Sequence, residues 1–101
     1  MKTIALALIL ATGLAIAPAE SSEAIQRGRR TFAQQCASCH SSHSANSLAG
    51  PGLKGYYSTH RPKPSDASVR TVIVKGKGRM PAFGTLGSAR TDELIAYLKT
   101  L

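Results

Sequence analysis

The chain has 101 residues and forms one domain at most, which excludes a multidomain organisation. Its 13 Lys and Arg outnumber its 5 Asp and Glu, and the formal net charge is +8. Such a balance suits nucleic acid, an anionic membrane or an acidic protein partner, unless the charges form only an ordinary solvated surface.

The N-terminus has the pattern of a signal peptide. An almost wholly apolar run at residues 4–17 follows the basic Lys2, and Ala17-Pro18-Ala19 supplies the small residues that signal peptidase requires. We therefore predict a signal peptide over residues 1–19 and a mature domain over residues 20–101. A retained membrane anchor is the alternative, but a helix over the apolar run would extend only about 21 Å, short of the roughly 30 Å hydrocarbon core.

Export by this route predicts a periplasmic protein, with no stable membrane insertion after cleavage and no nucleic acid as a partner. The mature domain is then small, and domains of this size often need a metal, a disulfide or another staple. The chain has only three Tyr, two Phe and no Trp. We therefore expect a cofactor, rather than aliphatic side chains alone, to fill its centre.

A first helix is predicted to start at a serine cap, Ser21 or Ser22, and to run to about Gln35, so that it delivers Cys36 at its end. The residues that follow, 41–64, are rich in Gly and Pro and are predicted to form a loop. A loop of this length suits wrapping around a cofactor. The apolar face of the helix recurs at three- and four-residue steps and contains Ala24, Ile25, Gly28, Phe32 and Ala33.

A second helix is predicted from Asp66 to Lys75, with a cap at Ser65 or Asp66. A short strand over residues 72–74 is the one competing prediction. Residues 76–90 are predicted to form a loop, and a last helix is predicted to start near Thr91. The acidic first turn and the apolar face of that helix comprise Asp92, Glu93, Leu94, Tyr97, Leu98 and Leu101.

Cys36-Ala37-Ser38-Cys39-His40 has the C-x-x-C-H pattern of a covalent haem attachment sequence. Two cysteines three residues apart present their sulfurs to the two vinyl groups on one edge of a porphyrin. His40 can then place its imidazole beneath the iron, where a proximal histidine is a common ligand. The sequence therefore predicts one haem c, attached through Cys36 and Cys39 and ligated by His40.

Three other uses of these residues stay open at this point. A redox dithiol shares the C-x-x-C pattern, but it belongs with a βαβ pattern that this sequence lacks. A disulfide suits an exported protein but leaves His40 unexplained. A zinc ion would need both cysteines and two of the three histidines, although a second close ligand pair at finger spacing is missing.

Met80 is predicted to be the sixth ligand of the iron. Met1 leaves with the signal peptide, so Met80 is the only methionine of the predicted mature chain. Its thioether is soft, favours Fe(II) and therefore raises the reduction potential. The ordinary role of a lone methionine is to fill core space. His60 is the rival ligand, whereas His43 is too close to His40 in sequence to reach the opposite haem face easily.

Four further segments, together with the C-x-x-C-H pattern, resemble the class I (monohaem) cytochromes c. The likeness extends over essentially the whole predicted mature chain. The segments are Gly28 to Phe32, matching G-x-x-x-F; Gly50 to Gly55, matching G-P-x-L-x-G; the ligand loop Gly76 to Phe83; and the closing helix Leu94 to Leu101.

The resemblance implies a small, all-α class I cytochrome c fold, with three to five helices wrapped around one covalently bound haem. It implies that Gly28 and Phe32 pack where the first helix crosses the last. The carbonyl of Pro51, otherwise a plain turn residue, would accept a hydrogen bond from the His40 ring, and Leu53 would line the haem pocket. The candidates for contact with the haem propionates are Tyr56, Arg70 and Arg79.

The function that this resemblance implies is electron transport rather than catalysis. The expected protein is a carrier that passes single electrons between redox partner proteins by outer-sphere transfer; its oligomeric state is not fixed by the sequence, and a monomer is favoured. Met80 argues against a haem enzyme or gas sensor, which needs an open iron position. A dedicated cytochrome subunit of a periplasmic dehydrogenase or oxidase is the alternative. Lys75, Lys77 and Arg79, close to Met80 in sequence, are expected to dock an acidic partner face.

Overall fold

The computed structural model describes Gly13 and residues 21–101. Within these residues the chain forms four α-helices and one short 3-10 helix, and no β-strand. The elements are α1 (Ser22–Gln35), α2 (Tyr56–Thr59), α3 (Asp66–Lys75), the 3-10 helix Gly84–Leu86 and α4 (Ser88–Leu98). The prediction of an all-α fold with three to five helices is confirmed. The predicted signal peptide lies outside the described residues except for Gly13, and none of the described helices has the length and apolarity needed to cross a membrane.

α1 begins at a serine cap, as predicted. The Ser21 hydroxyl accepts a hydrogen bond from the backbone N–H of Ala24, 3.1 Å away. Such a cap satisfies an N–H group that has no partner within the helix. At the other end of the helix, the N–H of Cys36 donates to the Phe32 carbonyl at 2.8 Å. Cys36 is therefore held directly by the last turn of α1.

α1 crosses α4 at Gly28, where the two backbones nearly touch. A Cβ atom at Gly28 would overlap the backbone carbonyl of Glu93 and lie 2.9 Å from the Cβ of Tyr97. One turn along α1, the Phe32 ring packs edge-on against Tyr97, with ring centroids 5.5 Å apart. An ion pair between Arg27 and Glu93 also joins the helices, and its hydrogen bond and opposite charge raise the pKa of Arg27. The crossing is the one that the resemblance implied.

α3 spans the predicted residues and closes its first turn with a reciprocal cap. The Ser65 hydroxyl accepts from the N–H of Ser68, and the Ser68 hydroxyl accepts from the N–H of Ser65, both at 3.0 Å. Ile73 is buried on the inner side of the helix. The competing strand over residues 72–74 does not form, because the helix continues to Lys75.

α4 begins at Ser88, one turn before the predicted start near Thr91. Gly87 caps the helix with a φ of +82°. Its carbonyl oxygen accepts two hydrogen bonds from Thr91, one from the backbone N–H at 3.1 Å and one from the hydroxyl at 2.8 Å. Thr91 is only 1% exposed. It is therefore a buried residue of the first turn rather than the start of the helix, and the helix ends at Leu98 rather than at Leu101.

α4 holds the molecule together, because α1, α3 and the 3-10 helix all pack against it. Leu94, at the middle of α4, is 1% exposed. The buried hydrophobic residues of the described chain are Phe32, Ile73, Leu94, Ile95 and Ala96. Ion pairs between Arg70 and Asp92 and between Lys99 and Asp66 fasten α3 to α4. The core is small, as the composition predicted.

Candidate functional site

The residues Cys36 to His40 form a tight turn on the end of α1. The N–H groups of Cys39 and His40 both donate to the Cys36 carbonyl, at 3.1 and 2.9 Å. Both thiols are free, with Cys39 exposed and Cys36 half-buried against the core. Burial, with a smaller contribution from Cys39, raises the pKa of the Cys36 thiol to about 11.

The His40 ring is hydrogen-bonded to the carbonyl of Pro51. The distance from His40 Nδ1 to Pro51 O is 2.8 Å. A carbonyl oxygen can only accept, so Nδ1 carries a proton, and in the neutral imidazole Nε2 then has the lone pair. This is the contact that the resemblance implied, and it leaves one ring nitrogen available to a metal.

Backbone hydrogen bonds join the loop that contains Pro51 to the segment around His40. The N–H of Gly50 donates to Cys39 O at 2.8 Å, and the N–H of Leu53 donates to Ser41 O at 2.8 Å. Further along the loop, the N–H of Gly55 donates to Leu101 O at 2.8 Å. The position of the Pro51 carbonyl is therefore fixed by neighbours on both sides, and Leu53 packs against the hydrophobic core.

Met80 closes a tight backbone hairpin. The N–H of Met80 donates to Lys77 O at 2.9 Å, and the N–H of Lys77 donates to Met80 O at 3.1 Å. Gly76 and Gly78 adopt φ values of +76° and +57°, which glycine reaches without strain. The N–H of Phe83 donates to the Ile73 carbonyl at 2.8 Å and ties the loop to α3. Met80 itself is half-buried against the core.

Three predicted site residues from three separate segments thus meet one hydrophobic cluster. Cys36, Leu53 and Met80 pack against the buried residues Phe32, Ile73, Leu94 and Ile95. His40 and Pro51 are joined beside them by their hydrogen bond. Two free thiols on one turn, an imidazole with an available Nε2 and a thioether on a shared core are the donor set that a covalently attached, six-coordinate haem requires. The residues present therefore fit this group.

The side chains of both rival ligands, His60 and His43, are exposed. His60 lies at the end of α2, and its ring stacks on Tyr56 with centroids 4.6 Å apart. In the part of the chain that the structure describes, no group of three or more His, Cys, Asp or Glu side chains converges as a zinc site would need. Of the propionate candidates, Arg70 is already paired with Asp92.

One residue of the site was missed by the sequence analysis. Gly50 packs directly against the His40 ring. Its only sequence signal is its place in the Gly50-Pro51-Gly52 segment, which gives no indication of what it contacts.

A family model described as cytochrome c oxidase, cbb3-type, subunit III, matches residues 23–98. The matched range runs from the first turn of α1 to the end of α4 and contains Cys36, His40 and Met80. A search of curated proteins and a search of solved structures each find no significant match. The match covers well over half of the chain and confirms the resemblance to c-type cytochromes. The chain belongs to the family of cbb3-type cytochrome c oxidase subunit III domains, and it is a haem protein of electron transfer.

Proposed function

We propose that this chain is an exported, monohaem electron carrier that diffuses in the periplasm and transfers single electrons between protein partners. In this proposal Cys36 and Cys39 hold the haem through thioethers. His40 is the proximal ligand of the iron and Met80 the distal one. In this proposal the protein binds no substrate and makes or breaks no covalent bond; it only accepts and passes on an electron.

The observation that carries the proposal is the hydrogen bond from His40 Nδ1 to Pro51 O, beside two free thiols on the same turn. Nδ1 is occupied by this bond, so Nε2 is the ring nitrogen that could bind the iron. The bond fixes the ring tautomer and raises the basicity of Nε2. It therefore prepares His40 to donate to a metal.

The surrounding residues favour rapid electron transfer. The bound haem would supply the one-electron redox chemistry. Pro51 holds the His40 ring, and the Lys77–Met80 hairpin holds the thioether by two backbone hydrogen bonds. Since both ligands are held by the backbone, little needs to move when the charge of the site changes. A rigid site of this kind suits a carrier better than an enzyme that must open a ligand position.

A dedicated cytochrome subunit of a periplasmic dehydrogenase or oxidase is the second candidate. The matched family model carries the name of an oxidase subunit, and this name favours the second candidate. The two functions differ in assembly rather than in haem chemistry. Purification from the producing cell without crosslinking separates them: a carrier elutes as a monomer, whereas a subunit copurifies with its complex. A dehydrogenase or oxidase gene next to this one would also favour the subunit.

The partner in this proposal presents an acidic face. Three described carboxylates, Asp66, Asp92 and Glu93, are paired with basic residues between helices. In the described part of the chain, no ion pair involves Lys75, Lys77 or Arg79, which surround the Met80 hairpin. Three positive charges without an ion pair therefore lie around a proposed iron ligand. Complementary charge acts mainly on the rate of encounter with a partner.

A further inference from the structure

Gly50 occupies a position where no other side chain fits. A Cβ atom built on Gly50 would lie 2.5 Å from Cε1, 2.9 Å from Nδ1 and 3.0 Å from Nε2 of His40. These three ring atoms are its nearest neighbours, and ordinary van der Waals contact between carbons begins near 3.5 Å. The backbone of Gly50 therefore lies directly against the imidazole.

The backbone of Gly50 is itself fixed on both sides. Its N–H donates to Cys39 O at 2.8 Å, and its carbonyl accepts from the N–H of Leu48 at 2.9 Å. Its φ lies outside the left-handed region, so no turn geometry requires glycine here. The close approach of the His40 ring therefore explains why this position has a glycine.

We propose that Gly50 is a positioning residue that sets the orientation of the His40 ring plane. The inference rests on the proposed role of His40 as the proximal ligand. Pro51 O holds Nδ1 through the hydrogen bond, but one hydrogen bond only partly restrains rotation of the ring about the Cβ–Cγ bond. Contact with Gly50 blocks that rotation on one side. Gly50 thus holds the imidazole by van der Waals contact, and the next residue, Pro51, holds it by a hydrogen bond.

Gly52 provides a matched control within the same segment. A Cβ atom on Gly52 would also be crowded, at 2.5 Å from Ala45 C and from Asn46 O, but no His40 atom is among its nearest neighbours. Gly50→Ala and Gly52→Ala therefore add the same methyl group at two tight sites. Only the first presses on the imidazole. Both are made in the haem-loaded protein, where loss of stability alone predicts the same outcome for the two variants.

The measurement is the electron paramagnetic resonance spectrum of the low-spin ferric protein, which reports the orientation and basicity of the axial imidazole. Gly50→Ala is expected to displace the g-values and to change the reduction potential. Gly52→Ala is expected to leave the spectrum in place, even where it lowers the denaturation midpoint. Unchanged spectra in both variants, or equal displacement in both, overturn the role of Gly50.

A second measurement needs no variant and decides the matter if Gly50→Ala fails to accumulate. In the diamagnetic ferrous protein, the Gly50 Hα protons should give a strong nuclear Overhauser effect to the His40 Cε1 proton. Absence of that effect overturns the proposal. A protein that carries no covalent haem would instead contradict the proposed function, so the two failures are distinguishable.

Discussion

In the proposed haem site, Met80 is the soft thioether ligand and His40 the imidazole ligand. Because a thioether favours Fe(II), Met80→Ala is expected to lower the reduction potential of the haem. The ferric protein should lose the weak far-red absorption of sulfur-ligated haem and should bind azide or imidazole at the vacated position. Absorption spectroscopy of the purified ferric protein, with and without azide, makes the measurement.

Leu86→Ala is the control for Met80→Ala, because Leu86 also packs, half-buried, against the same core. This control should lower the stability without removing the far-red band. If Met80→Ala keeps an unchanged spectrum, the distal role passes to His60 or to another group. The thioether would then be only a core side chain, which is the ordinary role of a lone methionine.

The crossing of α1 and α4 depends on Gly28 lacking a side chain. Gly28→Ala should destabilise the haem-loaded protein by about 1–3 kcal/mol, because the added methyl group overlaps the carbonyl of Glu93. Helix propensity alone would give the opposite sign, since Ala is favoured over Gly by about 1 kcal/mol within a helix. Guanidinium unfolding followed by circular dichroism gives the free energy.

Gln34→Ala, at an exposed position of the same helix, should change the stability by no more than about 0.5 kcal/mol. A gain of stability in Gly28→Ala would show that the helices do not approach as closely as the structure has them. The crossing would then be held by Phe32, Tyr97 and the Arg27–Glu93 pair instead.

Elements with local signals were predictable, and those that depend on distant contacts were not. The caps at Ser21 and Ser65 are contained within a single turn of chain, so the starts of α1 and α3 followed from the sequence. The start of α4 did not, because Gly87 caps this helix without a side-chain hydrogen bond, so no capping side chain marks the start in the sequence. The same holds within the site. Cys36, Cys39 and His40 are contiguous and form a pattern, whereas the contact of Gly50 with the His40 ring arises only from tertiary folding.

At the scale of the whole molecule, the paired carboxylates lie between helices, and three positive charges that have no ion pair among the described residues, Lys75, Lys77 and Arg79, lie around the Met80 hairpin. Electron transfer to the native partner should therefore slow as salt shortens the Debye length, which is about 8 Å at physiological ionic strength. Lys75→Glu and Lys77→Glu should each slow the reaction at low salt. Stopped-flow absorption across a salt series measures both effects.

Arg29→Glu is the matched control, because it makes the same change of net charge on α1 rather than in the hairpin. Arg29 is exposed and has no ion pair among the described residues. Its effect on the rate should be smaller than that of Lys77→Glu. A rate that does not change with ionic strength would contradict electrostatic steering by Lys75, Lys77 and Arg79. Equal effects of Arg29→Glu and Lys77→Glu would contradict it as well. The assignment as a cytochrome would be unaffected.

The central claim is that Cys36 and Cys39 hold one haem covalently. Protein exported and matured in a bacterial periplasm should keep its haem through denaturation and acid–acetone extraction. Its intact mass should equal the chain from Glu20 to Leu101 plus one haem, and Cys36→Ala or Cys39→Ala should leave no more than one thioether. Extraction of the haem into acetone, or reaction of both cysteines with a thiol reagent in the haem-loaded protein, would contradict the claim.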